Sequence, residues 1–210
     1  MGLRILAAVA AVALYLTTTI AHADDDLVRG EEIFALCATC HGTAGEGNQA
    51  RGAPVLAGLQ RWYVEAQLHK FRSGQRAYHA ADVMGLQMRP MARTLVDDAD
   101  VANVAAYIAT LPPAVPAATL EGDVTRGSQL YAPCTACHGL DGKGNEALKA
   151  PELLNQADWY VVAQLTSFRA GMRGTHQSDL TGMQMRPMSL TLPDDQALRD
   201  VAAYIRTLRK

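Results

Sequence analysis

Two pentapeptides carry the chemistry of this chain: Cys37-Ala38-Thr39-Cys40-His41 and Cys134-Thr135-Ala136-Cys137-His138. Thiols three positions apart can each add across one vinyl group of a haem, giving two thioether bonds. The histidine that follows is then placed to enter the axial position of the iron. The motif occurs twice in matched surroundings and uses all four cysteines of the chain. A zinc module would bring its ligand pairs within about 20 residues of each other, far closer than these lie. A thioredoxin-like redox pair would follow a strand in a βαβ pattern, which is absent. A disulfide within C-x-x-C closes almost no loop and is a poor staple. Two covalently attached c-type haems are therefore expected, held by Cys37, Cys40, Cys134 and Cys137, with His41 and His138 as axial ligands.

An electron-carrying haem also needs its sixth position filled. The block Gln87-Met88-Arg89-Pro90-Met91 and its copy Gln184-Met185-Arg186-Pro187-Met188 offer methionine, a soft ligand that raises the potential. The proline places this block in a loop between helices. Met88 and Met185 are the preferred ligands, with Met91 and Met188 packing against the ring edge, and within each pair the choice stays open. His79 and His176 are weaker candidates, suited equally to a propionate contact or a solvated loop. His69, replaced by Thr166 in the second copy, reads as a surface residue.

An axial histidine usually gives its other ring proton to a backbone carbonyl. Pro54 and Pro151, each thirteen residues after its histidine, could present one. Trp62-Tyr63 and Trp159-Tyr160 suit either haem contact or ordinary core packing. Arg72/Arg169, Arg76/Arg173 and Arg89/Arg186 could neutralise propionates, although a solvated basic face is the plainer expectation.

The elements that position these residues are repeated too. Arg29–Leu111 slides onto Arg126–Leu208 without a gap, with about half the positions identical. Two units of about 80 residues have little core of their own, so each needs its haem as an apolar centre. Every strong pattern is helical. Val28–Leu36 leads into the first motif, Arg61–Arg72 and Asp158–Arg169 end near Gly74 and Gly171, and the last helices open at Asp97-Asp98 and Asp194-Asp195. The fold class is all-α, with domains over 24–111 and 124–210 and an extended, proline-rich linker over 112–123.

Residues 1–23 have the form of a signal peptide: a positive start, an apolar run too short for a ~20-residue span, and Ala21-His22-Ala23 before Asp24. Cleavage near Ala23 and a periplasmic location follow. The net charge of −2 argues against a nucleic-acid partner. Acids exceed bases by three between residues 24 and 111, a modest dipole suited to docking of redox partners or to no purpose at all.

With these residues in view, the chain resembles the class I c-type cytochromes, and among them the dihaem cytochrome c4 family. The resemblance rests on Gly30-x-x-x-Phe34 and Gly127-x-x-x-Tyr131, the paired attachment motifs, the Phe71–Arg76 and Phe168–Arg173 helix ends, the methionine blocks, and Tyr107 and Tyr204. It implies two cytochrome c domains about a pseudo-twofold axis, first and last helices crossing where Gly30 meets the Tyr107 region and Gly127 that of Tyr204. It also implies Met88 and Met185 as sixth ligands. The implied role is single-electron transfer between redox proteins, from a quinol-oxidising complex or dehydrogenase toward a terminal oxidase, with membrane association through those partners. The alternatives are a cytochrome subunit of a periplasmic dehydrogenase and, more remotely, a dihaem enzyme. A peroxidase needs an open or histidine-gated iron, whereas both repeats carry the methionine block. A cysteine-ligated thiosulfate dehydrogenase would need a fifth cysteine.

Overall fold

The computed structural model describes residues 26–209, so the expected leader and its cleavage point lie outside the described residues. Helices α1 (26–41), α2 (Arg61–Ser73), α3 (Val83–Ala92) and α4 (Asp98–Thr110) form the first domain. Helices α5 (Val124–Tyr131), α6 (Thr135–His138), α7 (Asp158–Arg169), α8 (Leu180–Leu190) and α9 (Asp195–Thr207) form the second. Among the described residues there is no strand, only the isolated bridges Asn48–Ala53 and Asn145–Ala150.

Each domain is clamped where its first and last helices cross. A Cβ on Gly30 would meet the Asn103 carbonyl and lie 2.9 Å from Tyr107 Cβ. One on Gly127 would meet the Asp200 carbonyl and lie 2.9 Å from Tyr204 Cβ. Only glycine permits backbones this close. One turn on, Phe34 packs on Tyr107 with ring centroids 5.3 Å apart, and Tyr131 on Tyr204 at 5.4 Å. An arginine beside each glycine adds an ion pair, and the two domains place its partner one turn apart. Arg29 bonds Asp100, whereas Arg126 bonds Asp200 and Asp194. Asn103 stands where Asp200 would be, and Ala197 where Asp100 would be.

The first helix runs unbroken through Cys37–His41, beyond the segment expected from the sequence. In the second domain Pro133 replaces Leu36 and removes one N–H, so α5 tightens into a 3-10 turn over Ala132–Cys134 before α6. The Met-Arg-Pro-Met blocks are helical, which corrects the loop expectation. Asp82 and Asp179 cap α3 and α8 by accepting from Gly85 N and Gly182 N, both at 3.0 Å. Pro90 and Pro187 fall toward the C-terminal ends of these helices, where each removes one backbone N–H donor.

The linker is extended and tied to the second domain. Asp158, fully buried, accepts from Thr119 N, Thr119 Oγ1 and Leu120 N at 2.6–3.0 Å. Arg61 holds the equivalent position in the first domain, so this anchor exists once. Burial works against ionisation of Asp158, but these hydrogen bonds outweigh it and hold its carboxyl below the usual range.

Two predictions follow from these clamps. Gly127→Ala should destabilise the haem-loaded protein by about 2 kcal/mol or more in guanidinium unfolding, because α5 and α9 must separate; an unchanged midpoint would show that the crossing is slack. A carboxyl depressed in the folded state stabilises above its unfolded pKa, and that contribution is lost as pH falls through the folded pKa. Asp158→Asn should therefore lower stability at neutral pH and flatten the stability–pH curve below about pH 4. A parallel downward shift of the whole curve would contradict this.

Candidate haem sites

The two motifs sit at equivalent places, on the last turns of α1 and on the 3-10 turn followed by α6. No disulfide joins any of the four cysteines. Burial pushes the Cys37 thiol up to about 11 and raises Cys134 as well. Such thiols stay protonated at neutral pH, unlike the depressed thiols of redox-active pairs.

Each histidine is buried and held by the loop that follows it. His41 Nδ1 lies 2.8 Å from the Pro54 carbonyl, and His138 Nδ1 lies 2.9 Å from that of Pro151. A carbonyl only accepts, so the proton belongs on Nδ1 and the Nε2 lone pair is left for a metal. Burial pushes both imidazolium groups down, against the raising effect of the carbonyl, and favours the neutral ligating form. The loop owes its shape to reciprocal bonds between Asn48 and Ala53, a bond from Gly47 N to His41 O, and their copies around Asn145, Ala150 and Gly144. A Cβ on Gly47 would lie 2.8 Å from Val55 N, and its φ of +83° favours glycine.

Met88 packs against the first core together with Cys37, and Met185 against the second together with Cys134. Met91 and Met188, three positions on, are half-buried and belong to neither packing set. His79 and His176 are loop residues whose Nδ1 atoms accept from Ala81 N and Ser178 N. His176 also meets Tyr78 of the other domain edge-on. His69 is half-exposed beside Asp98. Trp62 and Trp159 pack edge-on against Tyr63 and Tyr160.

The arginine pairs separate. Arg72 and Arg169 reach Asp98 and Asp195 at the surface. Arg76 and Arg173 depart from the solvated face expected of them and are buried at the domain boundary. Arg76 donates to Gln67 Oε1 at 2.9 Å and to Gln164 Oε1 across the boundary at 3.1 Å. Arg173 mirrors this with Gln164 at 2.6 Å and Gln67 at 3.0 Å. Each guanidinium also lies over a phenylalanine, Phe71 or Phe168. Burial alone would raise the Tyr63 phenol, but Arg173 and Arg76 outweigh it and bring it down.

Buried cations normally carry an anion, yet among the described residues no carboxylate pairs with Arg76 or Arg173. The Nε groups of Arg76, Arg89, Arg173 and Arg186, and Nε1 of Trp62, are buried donors without an acceptor. A haem brings two carboxylates, so two haems bring one for each of these four arginines. The residues present fit the group. Repetition in the sequence pairs these arginines, but it carries no sign that two pairs turn inward, because charge alone reads as surface.

Tandem helical domains, each built around C-x-x-C-H with a carbonyl-fixed histidine, define a c-type cytochrome. The cytochrome c family model matches residues 27–112 and again 124–209. The chain is 34% identical to cytochrome c4 of Azotobacter vinelandii over 212 residues, covering 95% of this chain and 98% of that one. It is 34% identical over 179 residues to the thiosulfate dehydrogenase electron acceptor of Stutzerimonas stutzeri, covering 80% and 76% of the two chains. The crystal structure of reduced cytochrome c4 from Pseudomonas stutzeri superposes with a TM-score of 0.69 at 29% identity, covering 86% of this chain and 97% of that one. The chain belongs to the dihaem cytochrome c4 family of electron-transfer proteins and carries two covalently bound c-type haems.

Because each buried arginine bonds glutamines of both domains, Arg76→Met should lower both reduction potentials, by roughly 60 mV for a tenfold change in a one-electron equilibrium. Loss of a cation favours the ferric state. Spectroelectrochemistry of the variant checks this, and a shift at one haem alone would contradict the shared-centre geometry.

Proposed function

We propose that this protein is a periplasmic electron carrier, exported by a leader cleaved after Ala23, with domains over 24–111 and 124–210 joined by residues 112–123. It would take single electrons from a quinol-oxidising complex or a dehydrogenase and pass them toward a terminal oxidase. Each haem supplies a one-electron iron couple. Cys37 and Cys40, and Cys134 and Cys137, would hold it covalently. His41 and His138 would ligate through Nε2 while Pro54 and Pro151 hold the Nδ1 proton. Met88 and Met185 would offer the opposing sulfur. The observation that carries this reading is the duplication of the whole set, with each methionine packed on the same core as the first cysteine of its own motif. A second reading, a cytochrome serving a periplasmic dehydrogenase, draws support from the likeness to a thiosulfate dehydrogenase electron acceptor.

The near-infrared spectrum of the ferric protein tests the site. Methionine–iron charge-transfer intensity for two haems is expected, with no carbon monoxide binding after reduction. Met88→Ala and Met185→Ala should each remove half the band and open one iron, whereas Met91→Ala and Met188→Ala should leave it intact. The mass of the same sample should equal residues 24–210 plus two haems. Intensity for one haem, or ready carbon monoxide binding, would sink the paired-methionine assignment.

A further inference from the structure

The boundary between the domains obeys its pseudo-twofold axis at the Arg76–Gln164 and Arg173–Gln67 bonds, but several of its contacts have no mirror image, and one of these is an ion pair. Lys70, on α2 of the first domain, is largely buried and reaches into the second. Its Nζ lies 2.5 Å from Asp179 Oδ1 and 2.5 Å from Thr181 Oγ1. Asp179 is fully buried, and the same Oδ1 accepts from Gly182 N, so the carboxylate that caps α8 is also the one the lysine grips. Thr181 lies in the first turn of that helix, and Met185 follows one turn later.

The mirror image of this contact is missing because two of its three members differ. Ser167 stands in the Lys70 position and spends its hydroxyl on Ala163 O of its own helix, at 2.9 Å. Met84 stands in the Thr181 position. Asp82 caps α3 as Asp179 caps α8, but among the described residues it has no ion pair. A buried charge-assisted bond is a stronger and more directional constraint than the cap alone.

We infer that Lys70 is a positioning residue for the second haem: by holding the first turn of α8 from the neighbouring domain, it sets the placement of Met185, and the first haem has no reciprocal support. This rests on the reading of Met185 as a sixth ligand. Ligation at the second iron then depends on the docking of the first domain, while ligation at the first iron does not depend on the second.

The test uses the intact haem-loaded protein, with hydrogen exchange of α8 and α3 amides and the ferric methionine–iron band followed on heating. Lys70→Ser copies the residue that the fold already accepts at position 167. It should speed exchange in α8 by about tenfold relative to α3, the scale set by losing one such bond. Half of the methionine–iron intensity should melt earlier, in step with α8, and the other half should not move. Because Lys70→Ser leaves Asp179 buried without its cation, Lys70→Ser/Asp179→Asn is the companion variant, since asparagine keeps the helix cap. It should regain global stability while α8 exchange and the early-melting half stay altered. Unchanged α8 exchange, or a loosened α8 with both halves of the band unmoved, would overturn the inference. So would recovery of the band in the double variant, which would trace the effect to the unpaired carboxylate. A wild-type band for one haem only would instead overturn the ligand reading, and α8 exchange would still decide whether Lys70 holds the helix.

Discussion

A buried imidazole can offer its lone pair to a metal only if its other nitrogen has somewhere to put a proton. Much of each domain is arranged around that requirement. The loops after the two motifs fold back through the Asn48–Ala53 and Asn145–Ala150 bridges, and Gly47 and Gly144 let the strand of chain carrying the proline pass close by. The product is a carbonyl within 3 Å of each Nδ1. The glycine-mediated helix crossings then hold the helix that bears or leads into the motif against the last helix of each domain.

Charge follows from the same burial. The carboxylates of a haem would need cations, and the chain offers inward-facing guanidinium groups rather than acids of its own. Arg76 and Arg173 share Gln67 and Gln164, so the boundary is a single cationic centre rather than two adjacent ones. Lys70 and Asp158 show where duplication has drifted from symmetry: one ties α8 to the first domain, the other ties the linker to α7. Both single-copy contacts act on the second domain.

Helix positions and the all-α class were legible because the apolar spacing and the aspartate caps are local signals. Asp97 and Asp194 cap α4 and α9 as expected, and Gly74 ends α2 in the left-handed conformation. Proline argues for a loop at the methionine block, but the Asp82 and Asp179 caps upstream start a helix that runs through it. The same residue type did break a helix at Pro133, where it precedes the motif by one position and α5 gives way to a 3-10 turn.

What the sequence determined by itself is the chemistry that depends on spacing along the chain. That includes two thiols and an imidazole within one helical turn, repeated once, and a proline carbonyl thirteen residues on. Covalent geometry makes such relations local, so they survive without knowledge of the fold. Only the tertiary structure decided which of the repeated arginines turn inward, that Met88 and Met185 rather than their neighbours pack with the cysteines, and that Lys70 crosses to Asp179. Burial and long-range pairing are properties of packed surfaces, and two residues 109 positions apart carry no mark of their contact until the domains meet.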